Sequence, residues 1–124
     1  MEAASSRRES VLVVEDDPSA AQSLFYLLNH YGYGVRLAGS VQSAIDQLNH
    51  PPDIILLDLH LPDGYGTSVM EALLKRNLSA RVAVVTATID TALLRRAKLL
   101  GPELMFSKPL DFLELLEQLR AKVA

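Results

Sequence analysis

The chain has no cysteine among its 124 residues, so it can form neither disulfides nor thiolate metal sites. Its longest apolar runs, residues 11–14 and 54–57, are far shorter than the roughly 20 residues that cross a bilayer. It also has no excess of positive charge, because its formal net charge is −3. These absences predict a cytoplasmic protein that binds neither a membrane nor nucleic acid.

Hydrophobic residues make up 49% of the chain and charged residues 22%, which is typical of a folded globular protein. A length of 124 residues suits one domain. Residues 1–9 combine small and charged side chains without an apolar run, so we expect a flexible N-terminal tail there and no signal peptide. Residues 10–124 are then the folded domain.

Short aliphatic runs alternate with amphipathic helical patterns along the chain. The strand-like runs are residues 10–15, 35–38, 54–57, 82–85 and 104–106, and apolar residues at helical spacing follow each of them. Asp17, Ser40 and Asp111 are suited to cap three of the helices. Strands that are apolar throughout indicate a parallel sheet covered on both faces. The predicted fold is therefore α/β, with a doubly wound five-stranded parallel sheet.

Polar side chains follow four of these strands. Glu15 and Asp16 follow the first strand, Asp58 the third, Thr86 the fourth and Lys108 the fifth. In doubly wound sheets, ligands bind beyond the carboxyl ends of the strands, where the strand order reverses. Three carboxylates brought together raise one another's pKa values unless a cation lies between them. Oxygen ligands alone favour a hard ion such as Mg²⁺.

An aspartate can also act as a nucleophile toward a phosphoryl group if the phosphoryl oxygens are neutralised. Mg²⁺ and Lys108 would supply that charge, and the Thr86 hydroxyl would donate to another oxygen. Asp58 is therefore predicted to be phosphorylated. Taken singly, Asp58 could be a strand-end cap, Thr86 a β-branched residue that ends a strand, and Lys108 a surface cation. The occurrence of all three residues at strand ends favours a phosphorylation site over these separate structural roles.

This combination resembles the response-regulator receiver domain of two-component signalling. The matching residues are Glu15-Asp16, Asp58 followed by Leu61-Pro62-Asp63-Gly64, Thr86-Ala87 and Lys108-Pro109. The resemblance covers about residues 10–123 and implies a flavodoxin-like fold with strand order 2-1-3-4-5. It implies Mg²⁺ or Mn²⁺ as cofactor, a sensor histidine kinase or histidine phosphotransfer protein as donor, and an unidentified downstream effector. It implies a switch of partner binding rather than an enzyme.

The resemblance also assigns a role to each matching residue. Asp58 is the phosphoacceptor, Thr86 the switch hydroxyl and Lys108 the cation that contacts the phosphoryl group. The peptide bond before Pro109 is expected to be cis. The implied metal ligands are Glu15, Asp16, Asp58 and the backbone carbonyl of His60.

The residues after Asp58 predict a tight loop beside the site. Pro62 is expected to end the strand, and Gly64 and Gly66 to supply positive φ angles. The His60 side chain has two interpretations, either a neighbour of the phosphoryl group that tunes its hydrolysis or an exposed loop histidine.

Two positions depart from the family pattern. Members usually carry Tyr or Phe three residues before the lysine, where Met105 stands here, and the adjacent Phe106 points to the opposite face of the strand. Residues 101–104 replace the acidic pair of winged-helix regulators that dimerise through the fourth helix, fifth strand and fifth helix, so that dimer is disfavoured. The chain ends after the fifth helix, which suits a stand-alone receiver or a part of a larger regulator.

Two other functions fit parts of the sequence. A phosphorylation-independent, receiver-like binding module is favoured by Met105 and disfavoured by the intact acidic site and Lys108. A phosphatase of the haloacid-dehalogenase type also has a nucleophilic aspartate at a strand end. That enzyme needs a second aspartate two residues later, where this chain has His60.

Overall fold

The computed structural model describes residues 8–121. Within this range the strands are β1 (Ser10–Val14), β2 (Gly34–Ala38), β3 (Ile54–Leu57), β4 (His60–Leu61), β5 (Gly64–Tyr65), β6 (Arg81–Thr86) and β7 (Leu104–Ser107). The helices are α1 (Pro18–His30), α2 (Val41–Asp46), α3 (Thr67–Lys75), α4 (Thr91–Leu99) and α5 (Phe112–Arg120). A short 3₁₀ helix, Gln47–Asn49, continues α2.

The predicted tail, residues 1–9, lies mostly outside the described residues. Its last two residues are hydrogen-bonded to Gly32, just before β2, and to Gly34, the first residue of β2. The Arg8 guanidinium donates to the Gly32 carbonyl at 3.2 Å, and the Glu9 carbonyl accepts from the Gly34 amide at 2.9 Å.

Five strands form one parallel sheet in the order β2-β1-β3-β6-β7. Since β6 and β7 are the fourth and fifth predicted strands, the predicted fold and strand order are confirmed. The order reverses between β1 and β3, where Val14 pairs with Leu57. The residues that follow, Glu15 and Asp58, therefore leave the sheet side by side.

The central strands are buried on both faces because helices cover each of them. Val14 and Leu57 pack with apolar residues of α2, α3 and α4, whereas Val13 and Leu56 pack with α1 and α5. These strand residues are almost completely buried. Burying each such side chain stabilises the fold by roughly 1.5–3 kcal/mol. The carboxyl ends of β1 and β3 are thus fixed in the most strongly packed part of the molecule.

Capping side chains fix where several helices begin. The side chains of Asp17, Ser40 and Asp111 accept hydrogen bonds from the amides of Ala20, Ser43 and Glu114 at 3.0–3.2 Å. All three predicted caps are confirmed. Among residues 8–121, none of the helices has the length and apolar character that a bilayer crossing requires.

The predicted loop after Asp58 contains a small hairpin. Strands β4 and β5 pair antiparallel, His60 with Tyr65 and Leu61 with Gly64, so that Pro62 and Asp63 form the turn between them. Sequence patterns did not reveal it because each strand has only two residues. Gly64 has the predicted positive φ, 154°.

The prediction of a positive φ at Gly66 is wrong. Its φ is −58° and its ψ −22°, which any residue can adopt. The reason for glycine here is a close approach of the backbone. A Cβ at this position would lie 2.2 Å from the Asp58 carbonyl oxygen.

Candidate functional site

Three carboxylates meet at the carboxyl ends of β1 and β3. One oxygen from each of Glu15, Asp16 and Asp58 lies within 4.8 Å of the others. Glu15 and Asp58 are buried, with 7% and 8% of their surface exposed, whereas Asp16 is exposed. The Glu15 amide donates to the Ala38 carbonyl at 2.9 Å and the Asp58 amide to the Val14 carbonyl at 3.1 Å. The sheet ladder thus continues into the two buried acids and fixes their backbone.

Lys108 joins the two buried carboxylates. Its Nζ donates to Glu15 Oε1 at 2.7 Å and to Asp58 Oδ2 at 2.9 Å. Partial burial by itself lowers the pKa of Lys108, but the hydrogen bonds to Glu15 and Asp58 outweigh that effect and raise the pKa above its ordinary value. The ammonium therefore stays charged at neutral pH. The Lys108–Pro109 peptide bond is cis, as the resemblance implies.

Thr86 ends β6, the strand beside β3. It is 5% exposed, and its Oγ1 accepts a hydrogen bond from the Thr88 amide at 3.2 Å. The Thr86 carbonyl accepts from the Lys108 amide at 3.0 Å. The switch hydroxyl implied by the resemblance is thus at the same edge of the sheet as the three acids and next to the backbone of Lys108.

His60 is exposed, but its side chain is not free. Its Nε2 lies 3.0 Å from Thr88 Oγ1, and its ring meets the Tyr65 ring edge-on with centroids 5.5 Å apart. The His60 amide points toward Asp58 Oδ1 at 3.4 Å, a long hydrogen bond. The side chain therefore links the hairpin to the loop after β6. The role of the His60 carbonyl as a metal ligand stays a prediction.

Comparison with known proteins decides between the possible families. The family model described as the response regulator receiver domain matches residues 11–120. The chain belongs to this family. The resemblance drawn from the motifs is thereby confirmed, and the acidic site is that of a two-component receiver domain.

Relatives of known name or structure agree with this assignment. The transcriptional regulatory protein KdpE of Mycobacterium tuberculosis is 36% identical over 114 residues, which are 91% of this chain and 50% of KdpE. The non-phosphorylated HemR receiver domain of Leptospira biflexa superposes with a TM-score of 0.82 at 27% identity, covering 94% of this chain and 98% of that domain. The receiver spans about half the length of KdpE, 50%, and of the sensory transduction protein RegX3 of Mycolicibacterium smegmatis, 49%.

A second similar structure contains a phosphorylated aspartate. A response regulator from Burkholderia pseudomallei was solved with a phosphorylated aspartic acid, a calcium ion and citrate. It has a TM-score of 0.79 and 25% identity to this receiver, and the match covers 94% of this chain and 76% of that one.

The acidic residues of this receiver fit the metal that the family binds. Receiver domains bind Mg²⁺ at the acidic site, and Glu15, Asp16 and Asp58 offer oxygen donors only, which suits Mg²⁺ or Mn²⁺. The exposed Asp16 leaves one side of the cluster open to solvent, so an ion can reach it.

Met105 and Phe106 occupy opposite faces of β7, as predicted. Met105 is half-buried against the α2–α4 side of the sheet, whereas Phe106 packs on the side of α1 and α5. Phe106 therefore does not replace the missing aromatic residue at position 105.

Sequence patterns missed a role for Asp63. Its carboxylate accepts hydrogen bonds from the amides of Val41 at 2.8 Å and Gln42 at 3.0 Å, so it ties the hairpin to the first turn of α2. The only sequence feature that marks Asp63 is its place in the motif Leu61-Pro62-Asp63-Gly64, which does not indicate its partners. Its partners are more than 20 residues away in sequence.

We expect Asp63→Ala to lower stability at neutral pH but not in acid. The hydrogen bonds from Gln42 and Val41 lower the pKa of Asp63. A lowered pKa gives stability that is present above the unfolded-state pKa, about 4, and is lost as the pH falls through the folded-state pKa. Urea titrations at several pH values should show a lower midpoint for the variant at pH 7, and the difference from wild type should shrink as the pH falls below about 4. An equal difference at all pH values would contradict this account.

Replacement of Lys108 should make the thermal stability of the receiver more dependent on Mg²⁺. Lys108→Met removes the charge that neutralises two buried acids, at an expected cost of about 1–3 kcal/mol, less than for a fully buried pair because the lysine side chain is 29% exposed. Mg²⁺ should then raise the melting temperature more in the variant than in wild type, since it no longer competes with the ammonium.

Thermal denaturation with and without Mg²⁺ measures this difference. Lys75→Met, which removes a lysine at the exposed end of α3, is the matched control and should behave as wild type. A Mg²⁺ effect no larger in the Lys108 variant than in wild type would show that Lys108 does not oppose the ion.

Proposed function

We propose that this receiver accepts a phosphoryl group on Asp58 from a sensor histidine kinase or a histidine phosphotransfer protein, and that phosphorylation changes its binding to an effector. The observation that carries the proposal is the bridge from Lys108 to Glu15 and Asp58, beside the exposed Asp16. A buried acid held next to a fixed cation is suited to carry a phosphoryl group.

The transfer itself requires little proton chemistry. A carboxylate oxygen of Asp58 attacks the phosphorus of a donor phosphohistidine whose other ring nitrogen carries a proton. The phosphorus–nitrogen bond breaks, and neutral imidazole leaves with the bonding electron pair. The product on this chain is an acyl phosphate. Lys108 Nζ, 2.9 Å from Asp58 Oδ2, is positioned to pair with a phosphoryl oxygen. Glu15, Asp16 and Asp58 would hold Mg²⁺, which would neutralise phosphoryl charge.

Asp58 is one of the residues that line a cleft of about 400 Å³ between α1 and the segment after β7. Glu15, Asp58 and Lys108 lie at its polar end, and apolar residues of α1 line its wall, among them Leu24 and Leu27. A donor that carries its phosphohistidine on a helix would meet an apolar surface next to the acceptor. The phosphorylated aspartic acid of the similar Burkholderia pseudomallei regulator supports the same chemistry here.

The outcome of phosphorylation is a change of binding rather than turnover of a substrate. Receiver domains are generally regulatory phosphoacceptors, and in this chain Thr86 ends β6 and is followed by the loop to α4. Met105 keeps one alternative open, a receiver-like binding module that works without phosphorylation, because an aromatic switch is missing.

Intact-mass spectrometry after incubation with acetyl phosphate tests the proposal. We expect a phosphoryl adduct that requires Mg²⁺, disappears with a chelator and is released by hydroxylamine, as an acyl phosphate is. The contradicting result is that no adduct forms under conditions that label a known receiver, and that phosphohistidine donors also fail to phosphorylate the protein. The proposal is then wrong, and the binding module becomes the better explanation.

A further inference from the structure

A groove of about 580 Å³ lies between α3 and α4. Thr67 and Ser68 in the first turn of α3 line one side, several residues between 92 and 99 of α4 line the other, and Tyr65 of the hairpin contributes as well. Within residues 8–121, the lining includes no residue of β7, α5 or the acidic site. The groove is therefore a separate surface from the cleft beside Asp58, which α1 lines.

The groove is positively charged on the side of α4. This helix carries Arg95, Arg96 and Lys98 and no acidic residue, although the net charge of the whole chain is −3. Both arginines line the groove. Arg96 forms an ion pair with Glu71 of α3. Arg95 is exposed and has no hydrogen bond or ion pair with any other residue between 8 and 121. The Arg95 guanidinium is therefore available to bind an anionic group.

The one acidic lining residue found among residues 8–121, Asp90, is already bound within the fold. Asp90 Oδ1 accepts hydrogen bonds from the amides of Ala92 at 3.0 Å and Leu93 at 3.2 Å, and so caps α4. The positive end of the helix dipole stabilises a carboxylate at this place. Arg95 follows five residues later and keeps its charge unpaired, so the groove offers a net positive charge to a ligand.

Apolar surface flanks these charges. Leu99 at the end of α4 is 83% exposed and Tyr65 is 51% exposed, and both line the groove. A singly exposed apolar side chain needs no explanation, but here two of them lie beside two arginines on one concave surface. Tyr and Arg are enriched in protein interfaces and among the residues that contribute most to binding. The composition therefore suits a protein ligand that has both apolar and acidic groups.

Other occupants match this surface less well. A flat bilayer cannot enter a concave groove. Nucleic acid binding depends on many phosphate contacts, whereas two arginines line the groove within residues 8–121 and the net charge of the chain is −3. In a symmetric contact between two copies, the positive helix α4 would face itself, and like charges repel. An acidic segment of another protein has the complementary charge.

We propose that the groove between α3 and α4 binds an acidic amphipathic helix of a partner protein. In this contact Arg95 pairs with a carboxylate of the partner, and Leu99 and Tyr65 pack against its apolar face. Helices that bind in grooves carry apolar residues at positions i, i+3 or i+4 and i+7, so the acids of the partner should flank such a stripe. The proposal goes beyond the proposed function and does not require phosphorylation of Asp58.

Selection from a peptide library tests the proposal. The probe is a displayed library of helical peptides of about 14 residues, long enough to extend past the nine residues of α4, with apolar residues fixed at i, i+4 and i+7 and the other positions randomised. Selection on the receiver without a phosphoryl donor should enrich Asp and Glu at the randomised positions. Affinities of the selected peptides are measured by fluorescence anisotropy at about 0.15 M NaCl, where long-range charge effects are screened.

Three variants locate the binding site. Arg95→Glu reverses the unpaired charge and should weaken binding of the selected peptides by roughly tenfold or more. Leu99→Ser removes an exposed apolar contact and should weaken binding by roughly threefold to tenfold. Lys75→Glu, the matched control, makes the same change of charge at the end of α3, outside the groove, and should bind as wild type does. All three side chains are exposed, so circular dichroism should show an intact fold in each variant.

NMR spectra of the complex show where the peptide lies. We expect amide shift changes at Ser68 and Leu99. Three results would overturn the proposal: selected peptides without enrichment in acidic residues, equal affinity for Arg95→Glu and wild type, or shift changes that fall beside α1 instead. Binding of phosphatidylglycerol vesicles or duplex DNA at the same salt, if Arg95→Glu abolished it, would assign the groove to a membrane or to nucleic acid and would also overturn it. Because no step uses a phosphoryl donor, failure of acetyl phosphate labelling would count against the proposed function alone.

Discussion

Replacing Asp58 with Asn is expected to abolish the phosphoryl adduct completely while leaving the fold intact. The asparagine side chain has nearly the same shape, and its oxygen can still accept from Lys108, which lies 2.9 Å from Asp58 Oδ2 in the wild-type protein. The amide is, however, neither charged nor nucleophilic. The loss should therefore appear in intact-mass spectra after treatment with acetyl phosphate and Mg²⁺, without a loss of the native circular dichroism spectrum. The affinity for Mg²⁺ should also fall, because the variant has lost one of the three carboxylates of the cluster.

Asp63→Asn is the matched control for this experiment. It makes the same chemical change in the same segment, at an exposed aspartate that binds the start of α2 instead of the acidic cluster. It should be labelled as wild type is. An adduct that persists in Asp58→Asn would mean that another carboxylate is the acceptor. Asp16 would be the first candidate, because it is the most exposed carboxylate of the cluster.

Gly66→Ala should be the most destabilising single change near the site. The new Cβ would lie 2.2 Å from the Asp58 carbonyl oxygen and 3.1 Å from Leu57 Cγ, so the backbone itself must move. Because φ and ψ at Gly66 are ordinary, the cost is steric and not conformational. Overpacking of this kind costs about 3 kcal/mol, or roughly 10 °C in melting temperature for a domain of this size. Labelling of Asp58 should fall as well, because the displaced atoms are its own backbone.

Gly39→Ala is the control for this prediction. Gly39 is exposed, does not have a positive φ, and a Cβ there would have nothing within 4 Å. The variant should melt within about 2 °C of wild type, since glycine-to-alanine changes at compatible sites alter stability only slightly. If Gly66→Ala melted at the same temperature as Gly39→Ala, the close approach would not be a constraint on the fold.

The sequence predicted the sheet and the acidic site because both depend on local patterns. Continuous apolar runs identify buried parallel strands, and residues that end such strands must meet at one edge of the sheet. Glu15, Asp58 and Lys108 could therefore be placed at the same edge of the sheet from these patterns alone. The strand order followed from the family resemblance and not from the periodicity.

The contacts around the hairpin could not be predicted in the same way. His60 and Thr88 are 28 residues apart, and Asp63 lies 22 residues from Val41, so neither pair has a local signal. Gly66 was misassigned because a glycine required by a close neighbour looks, in sequence, like one required by a positive φ. In each case the deciding partner belongs to another element, and tertiary packing determines which partner that is.

The strand order has a consequence for how such a protein can diverge. Glu15 and Asp58 follow β1 and β3, which have neighbouring strands on both sides, whereas Met105 lies on β7, which pairs with β6 alone. A substitution on an edge strand disturbs fewer neighbours than one in the middle of the sheet. Substitutions at Met105 can therefore accumulate with less disturbance of the acidic site than substitutions in β1 or β3, as long as Lys108, the reacting group that follows β7, keeps its place.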